Sequence, residues 1–374
     1  MRKFLSVLLA GSMMAGMMLG ATMTVHAEEG DMKVAMVTDY GDITDQSFNQ
    51  TTYEACQAFC QENGIDFTYK KPATDADADR ESSMEEAIEE GYNVIVMPGY
   101  AFAPAIVNVA PLYPDVKFVA LDVSEYDLDT AAGGDFAEEN VYSAVYQEEL
   151  AGYMAGYAAV KLGYTKLGFL GGMAVPAVIR YGFGFVQGAD DAAAEIGAEG
   201  VELKYVYGGQ FFGDADITSV MDTWYQGGTE VVFACGGGIY SSAAEAAAKL
   251  DGKVIGVDVD QAGTIDGAYG DGMTVTSAMK GLAATVNTLL TAIKDGAWDD
   301  YKGQIQNLGL VSENPEENYV QLPASTQWAD GFTEDDYKAL VAKMFSGEIE
   351  VDSGIETMPE VTAITVDDQG AIKG

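Results

Sequence analysis

Histidine is nearly missing from this chain: among 374 residues there is one, His26. It lies in an N-terminal stretch that reads as a leader. Arg2 and Lys3 give a positive start, Phe4 to Gly20 is apolar, and Val25-His26-Ala27 is a small-x-small cleavage site, so residues 1–27 are expected to be a signal peptide. A mature chain without histidine has no Ser-His-Asp triad, no imidazole proton shuttle and no histidine-ligated zinc. Cations are scarce too, with 19 Lys and Arg against 59 Asp and Glu and a net charge of -40. Phosphate backbones are held by Lys and Arg, so nucleic acid and anionic membrane surfaces are excluded as partners, and anionic ligands are disfavoured. Cysteine is limited to Cys56, Cys60 and Cys235. Two share a helix and no C-x-x-C exists, so small buried thiols are expected rather than a disulfide or a zinc site. After the leader no apolar run approaches the roughly 18 residues of a spanning helix. AGYMAGYAAV is too short.

What is present is alternation. MKVAMV, a helix over 52–63, FTYKK, a helix near 80–90, NVIVMPG, a short helix after Pro104 and VKFVALD follow one another. The pattern then restarts. A long helix near 145–162 precedes KLGFLGG, a helix over 181–196, VELKYVY, a helix near 215–226, EVVFACGGG, a helix over 241–250 and KVIGVD. Such alternation specifies βαβ units, and two successive sets predict an α/β protein of two lobes, each a parallel sheet flanked by helices. A capped helix follows Thr333, answered by Asp336. Ligands of open parallel sheets sit beyond the carboxyl ends of strands, where TDYGD, MPGY, ALDVSE, ACGGG and GVDVDQ fall.

Several stretches imitate known sites. DADADRESSMEE, from Asp75 to Glu86, has calcium-loop spacing, but Arg80 stands where the sharp turn needs glycine. A solvated helix start with Ser82/Glu85 and Ser83/Glu86 capping pairs is the better reading. ACGGGIYSS begins a G-x-G-x-x-G and ends it with Ser241, and no Walker sequence exists, so no nucleotide cofactor is expected. Asp258 and Asp260 in GVDVDQ could act as a glycosidase pair, or simply accept bonds from hydroxyls. Phe48 in TDYGDITDQSFNQ and Phe211-Phe212 in YGGQFFGDAD are rings in loops, suited to hold a flat ligand by stacking if they face one cleft.

In order along the chain, VTDYGDITDQSFNQ, GYNVIVMPGYAF, YQEELAGYMAGYAA, KLGFLGGMAVPAVIRYGFGFVQG, WYQGGTEVVFACGGG, VIGVDVDQ and TSAMK resemble the basic membrane protein family of substrate-binding proteins, which includes a purine nucleoside receptor type. The resemblance runs from about Lys33 to Val351. It implies a two-lobed, hinge-linked type I periplasmic-binding-protein fold, an ABC-transporter permease as partner, no catalysis, and no metal or cofactor. It further implies a neutral purine nucleoside held between Phe48 and Phe211. Asp45 and Asn49 would face the base, Asp258 and Lys280 the ribose hydroxyls beside Gly237 and Gly238, and Asp122 would join them. The alternatives are a receptor for a sugar or other small neutral solute, and a secreted carboxylate-dependent hydrolase. The lobes are expected at 28–137 with about 279–325, and at 138–278, leaving 326–374 as a C-terminal helix and tail on either lobe. Two departures are visible. No cysteine stands at the cleavage site, so an exported monomer without a lipid anchor is expected. The GGQFFGDAD loop offers two rings where one is usual, so Phe212 competes with Phe211 for the second stacking place.

Overall fold

Strand runs that are apolar on both faces belong in parallel sheets covered by helices. The computed structural model, which describes residues 31–39 and 41–373, has this organisation. The expected leader over 1–27 lies outside the described residues. From the N-terminal side the elements are β1 (Lys33–Val37), α1 (Phe48–Asn63), β2 (Asp66–Lys70), α2 (Asp77–Glu89), β3 (Val94–Pro98), α3 (Ala103–Val109), β4 (Lys117–Leu121), α4 (Glu125–Ala132), β5 (Val141–Tyr146) and α5 (Glu148–Lys161). The second set is β6 (Lys166–Gly171), α6 (Pro176–Ile196), β7 (Val201–Tyr207), α7 (Ala215–Gln226), β8 (Val231–Cys235), α8 (Tyr240–Ala248), β9 (Lys253–Asp258), α9 (Ala262–Tyr269) and β10 (Thr274–Lys280). There follow α10 (Leu282–Lys294), β11 (Ile305–Leu308), β12 (Val320–Gln321), α11 (Glu334–Phe345) and β13 (Ile364–Ala371).

The first sheet has the order β2-β1-β3-β4-β5-β11 and the second β13-β7-β6-β8-β9-β10-β12. All pairings are parallel except β12 against β10. The two sheets are thus wound alike, with β4 and β9 in matching places. The sheet membership of β5 differs from the expected border at 137/138. VYSAVY runs into QEEL with no glycine or proline between them, so strand and helix read as one element. α10 and β11 return to the first sheet, while β10 and β12 stay with the second. α11 joins the second: Tyr337, Leu340, Val341 and Met344 pack in one core with α5 and α6.

Cys56, Cys60 and Cys235 are free, buried thiols. The acidic 75–86 segment is the start of α2, as read. However, Ser82 and Ser83 lie inside the helix, and the end is held by Thr74 and by Arg80 bonding Asp77 at 3.0 Å. No helix among the described residues is long and apolar enough to cross a membrane. α5 is instead a core helix, pressed against α6 through glycines. A Cβ on Gly152 or Gly156 would lie 2.1 Å from the carbonyl oxygen of Tyr181 or Phe185, and one on Gly184 or Gly188 would lie 2.0 Å from that of Glu149 or Tyr153.

Candidate functional site

The matching strands β4 and β9 deliver matching carboxylates. Asp122 directly follows β4 and Asp258 ends β9, and both adopt left-handed backbone, with φ of 63° and 64°. Gln46 (φ 57°) is a third such residue, in the loop before α1. Left-handed non-glycine residues cost energy and collect where function over-determines the backbone.

Lys280, the last residue of β10, is buried, on the strand next to β9. Its Nζ donates to Asp122 Oδ2 at 2.7 Å and lies 2.9 Å from Glu148 Oε1. The ammonium also lies 5.0, 5.1 and 5.7 Å from the ring centres of Phe48, Tyr146 and Tyr181, within cation–π range. Glu148 begins α5 and accepts from Arg180 Nε of α6 at 2.6 Å. Asp258 accepts from Ser47 Oγ at 2.5 Å and from Tyr181 OH at 3.3 Å. Burial pushes Asp258 up, and pushes Asp122 up to about 6 against the attraction of Lys280. Burial also works against Lys280's charge, but Asp122, Glu148 and Asp258 outweigh it and hold the ammonium protonated. For Glu148, the two cations outweigh burial and keep it below its usual range.

Asp45 lies in a second group. Its carboxylate accepts from the backbone N–H of Ser47, Asn49 and Gln50 at 2.9, 3.0 and 3.1 Å, and from Asn49 Nδ2 at 3.2 Å, so it caps the start of α1. Burial nonetheless raises its pKa. This loop reaches the glycine turn, where a Cβ on Gly237 (φ 53°) would lie 3.8 Å from Asp45 Oδ2 and 2.9 Å from Phe211 O. Gly238 N donates to that same Phe211 oxygen at 2.9 Å. The Phe211 ring is half-buried against Gly172 and Gly236, whereas Phe212 is 61% exposed. Three bonds join the loop before α1 to the second sheet's end: Ser47 to Asp258, Gln261 Nε2 to Gln46 O at 2.9 Å, and Thr264 Oγ1 to Gln46 Oε1 at 3.1 Å.

The structure therefore gathers Phe48, Asp122, Asp258 and Lys280 around one ionic centre. Asp45, Asn49, Phe211, Gly237 and Gly238 stand in the adjoining turn region. Sequence reasoning missed Gln46, Ser47, Tyr146, Glu148, Arg180, Tyr181 and Gln261. One signal was available: Glu148 and Arg180 are charges next to long apolar stretches of their helices, AGYMAGYAAV and YGFGFV, and charges beside such stretches need partners. Among the described residues, the buried acceptors without a hydrogen-bond partner include Asn49 Oδ1, Asp122 Oδ1 and Glu149 Oε2. A buried acceptor left open calls for a donor from elsewhere.

Glu149 gives a pH test. Burial pushes its carboxyl up to about 7. The folded value exceeds the unfolded one of about 4.3, so its contribution to stability is full below that value and is lost as pH rises through the folded value. Glu149→Gln has no such proton to lose. Relative to wild type it should gain on the order of 2–3 kcal/mol between pH 4 and 8 in urea unfolding. Parallel stability curves for the two proteins would rule this out.

Two parallel sheets of this winding, joined by crossing segments, are the fold of the type I solute-binding proteins. An ABC-transporter solute-binding protein from Aeropyrum pernix K1 has the same fold, with a TM-score of 0.65 and 22% identity over 85% of this chain and 87% of that one. Residues 32–351 match the Bmp family profile, described as ABC transporter substrate-binding protein PnrA-like, and the chain belongs to that family. A relative from Lactococcus lactis subsp. cremoris, named ABC transporter nucleoside-binding protein BmpA, is 28% identical over 78% of this chain and 81% of its own length. The chain is thus a substrate-binding protein, with a small-molecule ligand and a permease as its partners, and the hydrolase reading is set aside. The expectation of no lipid anchor is corrected. A relative from Pyrococcus abyssi, 26% identical over 86% of this chain and 77% of its own length, is named a lipoprotein. A missing cysteine before Cys56 does not exclude anchorage for a member of such a family.

Proposed function

We propose that this protein binds a neutral purine nucleoside between two hinged lobes built on the two sheets, and presents it to an ABC importer. The observation that carries the reading is the Lys280 centre: a buried ammonium beside the Phe48 ring pairs with Asp122 at 2.7 Å, and Asp258, from the matching strand of the other sheet, attracts it from beyond ion-pair distance. A nucleoside brings a stacking face, N–H donors and vicinal hydroxyls. These suit Phe48 and the open acceptors Asn49 Oδ1 and Asp122 Oδ1. Phe211 is the better second ring, since it lies against Gly172 and Gly236 at the ends of β6 and β8 while Phe212 is turned to solvent. The centre already pairs its cations with carboxylates, so a neutral ligand adds no unpaired charge. The nucleoside-binding name of the Lactococcus relative points the same way.

The test is calorimetric titration of unfolded and refolded protein with inosine, guanosine, adenosine, cytidine and ribose. Purine nucleosides should bind and ribose should not. Phe48→Ala should weaken binding roughly 10- to 100-fold, the value of one base-stacking contact. Ribose binding as tightly as guanosine would replace this reading with a sugar receptor.

A further inference from the structure

The family match ends at residue 351, yet the chain continues through an ordered strand. β13 adds to the edge of the second sheet, parallel to β7, from Ile364 beside Val201 to Ala371 beside Tyr207. Its entry is fixed by Asp190 of α6, which accepts from the backbone N–H of Thr362, Ala363 and Ile364 at 2.9, 2.7 and 3.1 Å. Along its length Gln369 Oε1 accepts from Trp224 Nε1 at 3.1 Å. Its far end reaches the loop between β7 and α7, which carries Phe211. Ile372 N donates to Tyr207 O at 2.8 Å, and a Cβ on Gly209 (φ 82°) would lie 2.5 Å from Lys373 O.

Lys373 then grips both shoulders of this loop. Its ammonium is paired with Asp214, the N-cap of α7, and lies 3.4 Å from Gln210 Oε1. Gln210 Nε2 in turn donates to Asp214 Oδ2 and to Phe212 O, both at 2.9 Å. The rings are therefore strung between two residues tied to one lysine. From the opposite side Gly208 N and Gly209 N donate to Gly171 O and Gly172 O at 2.7 and 2.9 Å, and Gly238 N donates to Phe211 O. Ser242 Oγ accepts from Asp214 N at 3.0 Å and donates to Asp214 O at 3.1 Å, so the backbone of the loop is held there and Lys373 adds the tie between its two shoulders.

We propose that the segment after residue 351 is a strut that presets the Phe211 loop, with Lys373 as its positioning residue; this rests on the reading of Phe211 as the second ring of the site. A loop ordered before ligand arrives binds more tightly because less ordering is left to do.

Hydrogen exchange of the free protein tests the strut without any ligand. Lys373→Ala and a chain ending at Ala371 should speed exchange across 208–214 roughly tenfold, leaving β6 and β8 unchanged. Guanosine affinity should fall roughly five- to tenfold through faster dissociation, and Lys373→Arg should restore it. Unchanged exchange in 208–214 overturns the proposal. So does faster exchange with guanosine affinity intact. If wild type binds no nucleoside, the reading of the ligand fails, and the exchange result still decides the strut.

Discussion

Lys280→Met should cost about 3–5 kcal/mol of folding stability, the usual penalty for removing one partner of a buried ion pair. The loss should also depend on pH. Lys280 is the cation next to Asp122 and, with Arg180, one of two beside Glu148. Without it Glu148 keeps Arg180, but among the described residues Asp122 keeps no cation within ion-pair distance, and Asp258 keeps its bonds from Ser47 and Tyr181 while losing the attraction of the ammonium. Their folded pKa values, already raised by burial, then rise further. An acid raised in the folded state is least costly below its unfolded value, about 3.9 for aspartate, and most costly above its folded value. The deficit of Lys280→Met against wild type should therefore be small near pH 4 and full above pH 7. Adding Asp122→Asn should recover part of it at pH 8 and little at pH 4. Urea unfolding of the two variants at both pH values measures this. A deficit under about 1 kcal/mol, or one that is flat with pH, would mean the ammonium is not the neutralising centre described here.

That centre also marks how far sequence reasoning reaches. Strand ends are legible, because VAMV, FVAL and VIGV are apolar runs that stop at a polar residue, and the ends of parallel strands face the ligand side. Asp122 and Asp258 stand where this rule points, but the roles of both, and Lys280 itself, come from the family resemblance, because TVTSAMK is not an apolar run. The partners that fix them are not legible, because Ser47, Tyr181 and Glu148 reach the centre only through the packing of separate segments. Helix starts were misplaced for a local reason. α1 begins at Phe48 rather than near 52, because Asp45 caps it from outside the helix, and α6 begins at Pro176 rather than 181, with the proline at its first turn. β13 was invisible as a strand. ITVDDQGA is acidic and largely exposed, and its pairing with β7 is made by backbone, which leaves no hydrophobic alternation to read.

Glycine-to-alanine changes normally favour a helix interior by up to about 1 kcal/mol, yet in α5 and α6 they should do the opposite. A Cβ on Gly184 would stand 2.0 Å from the carbonyl oxygen of Glu149, and one on Gly156 2.1 Å from that of Phe185. These obstacles are backbone, so no rotamer change relieves them and the two helices must separate. Forced overpacking of this kind costs roughly 1–3 kcal/mol for the smallest addition and more for a branched side chain. Gly184→Val should therefore lose at least about 3 kcal/mol in urea unfolding. Gly263, in α9 with nothing within 4 Å of its Cβ position, supplies the contrast: Gly263→Ala should be neutral or stabilising. Position along the helix pair then separates stability from binding. Gly184 lies against Glu149, beside the Glu148 carboxylate that meets Lys280, whereas Gly188 lies one turn further on, against Tyr153. Gly184→Ala and Gly188→Ala should lose similar stability, but Gly184→Ala should lose more ligand affinity, because displacing α5 at its first turn draws Glu148 from Arg180 and Lys280. Equal affinity losses in the two variants would mean that the helix contact supports the fold without setting the geometry of the ionic centre.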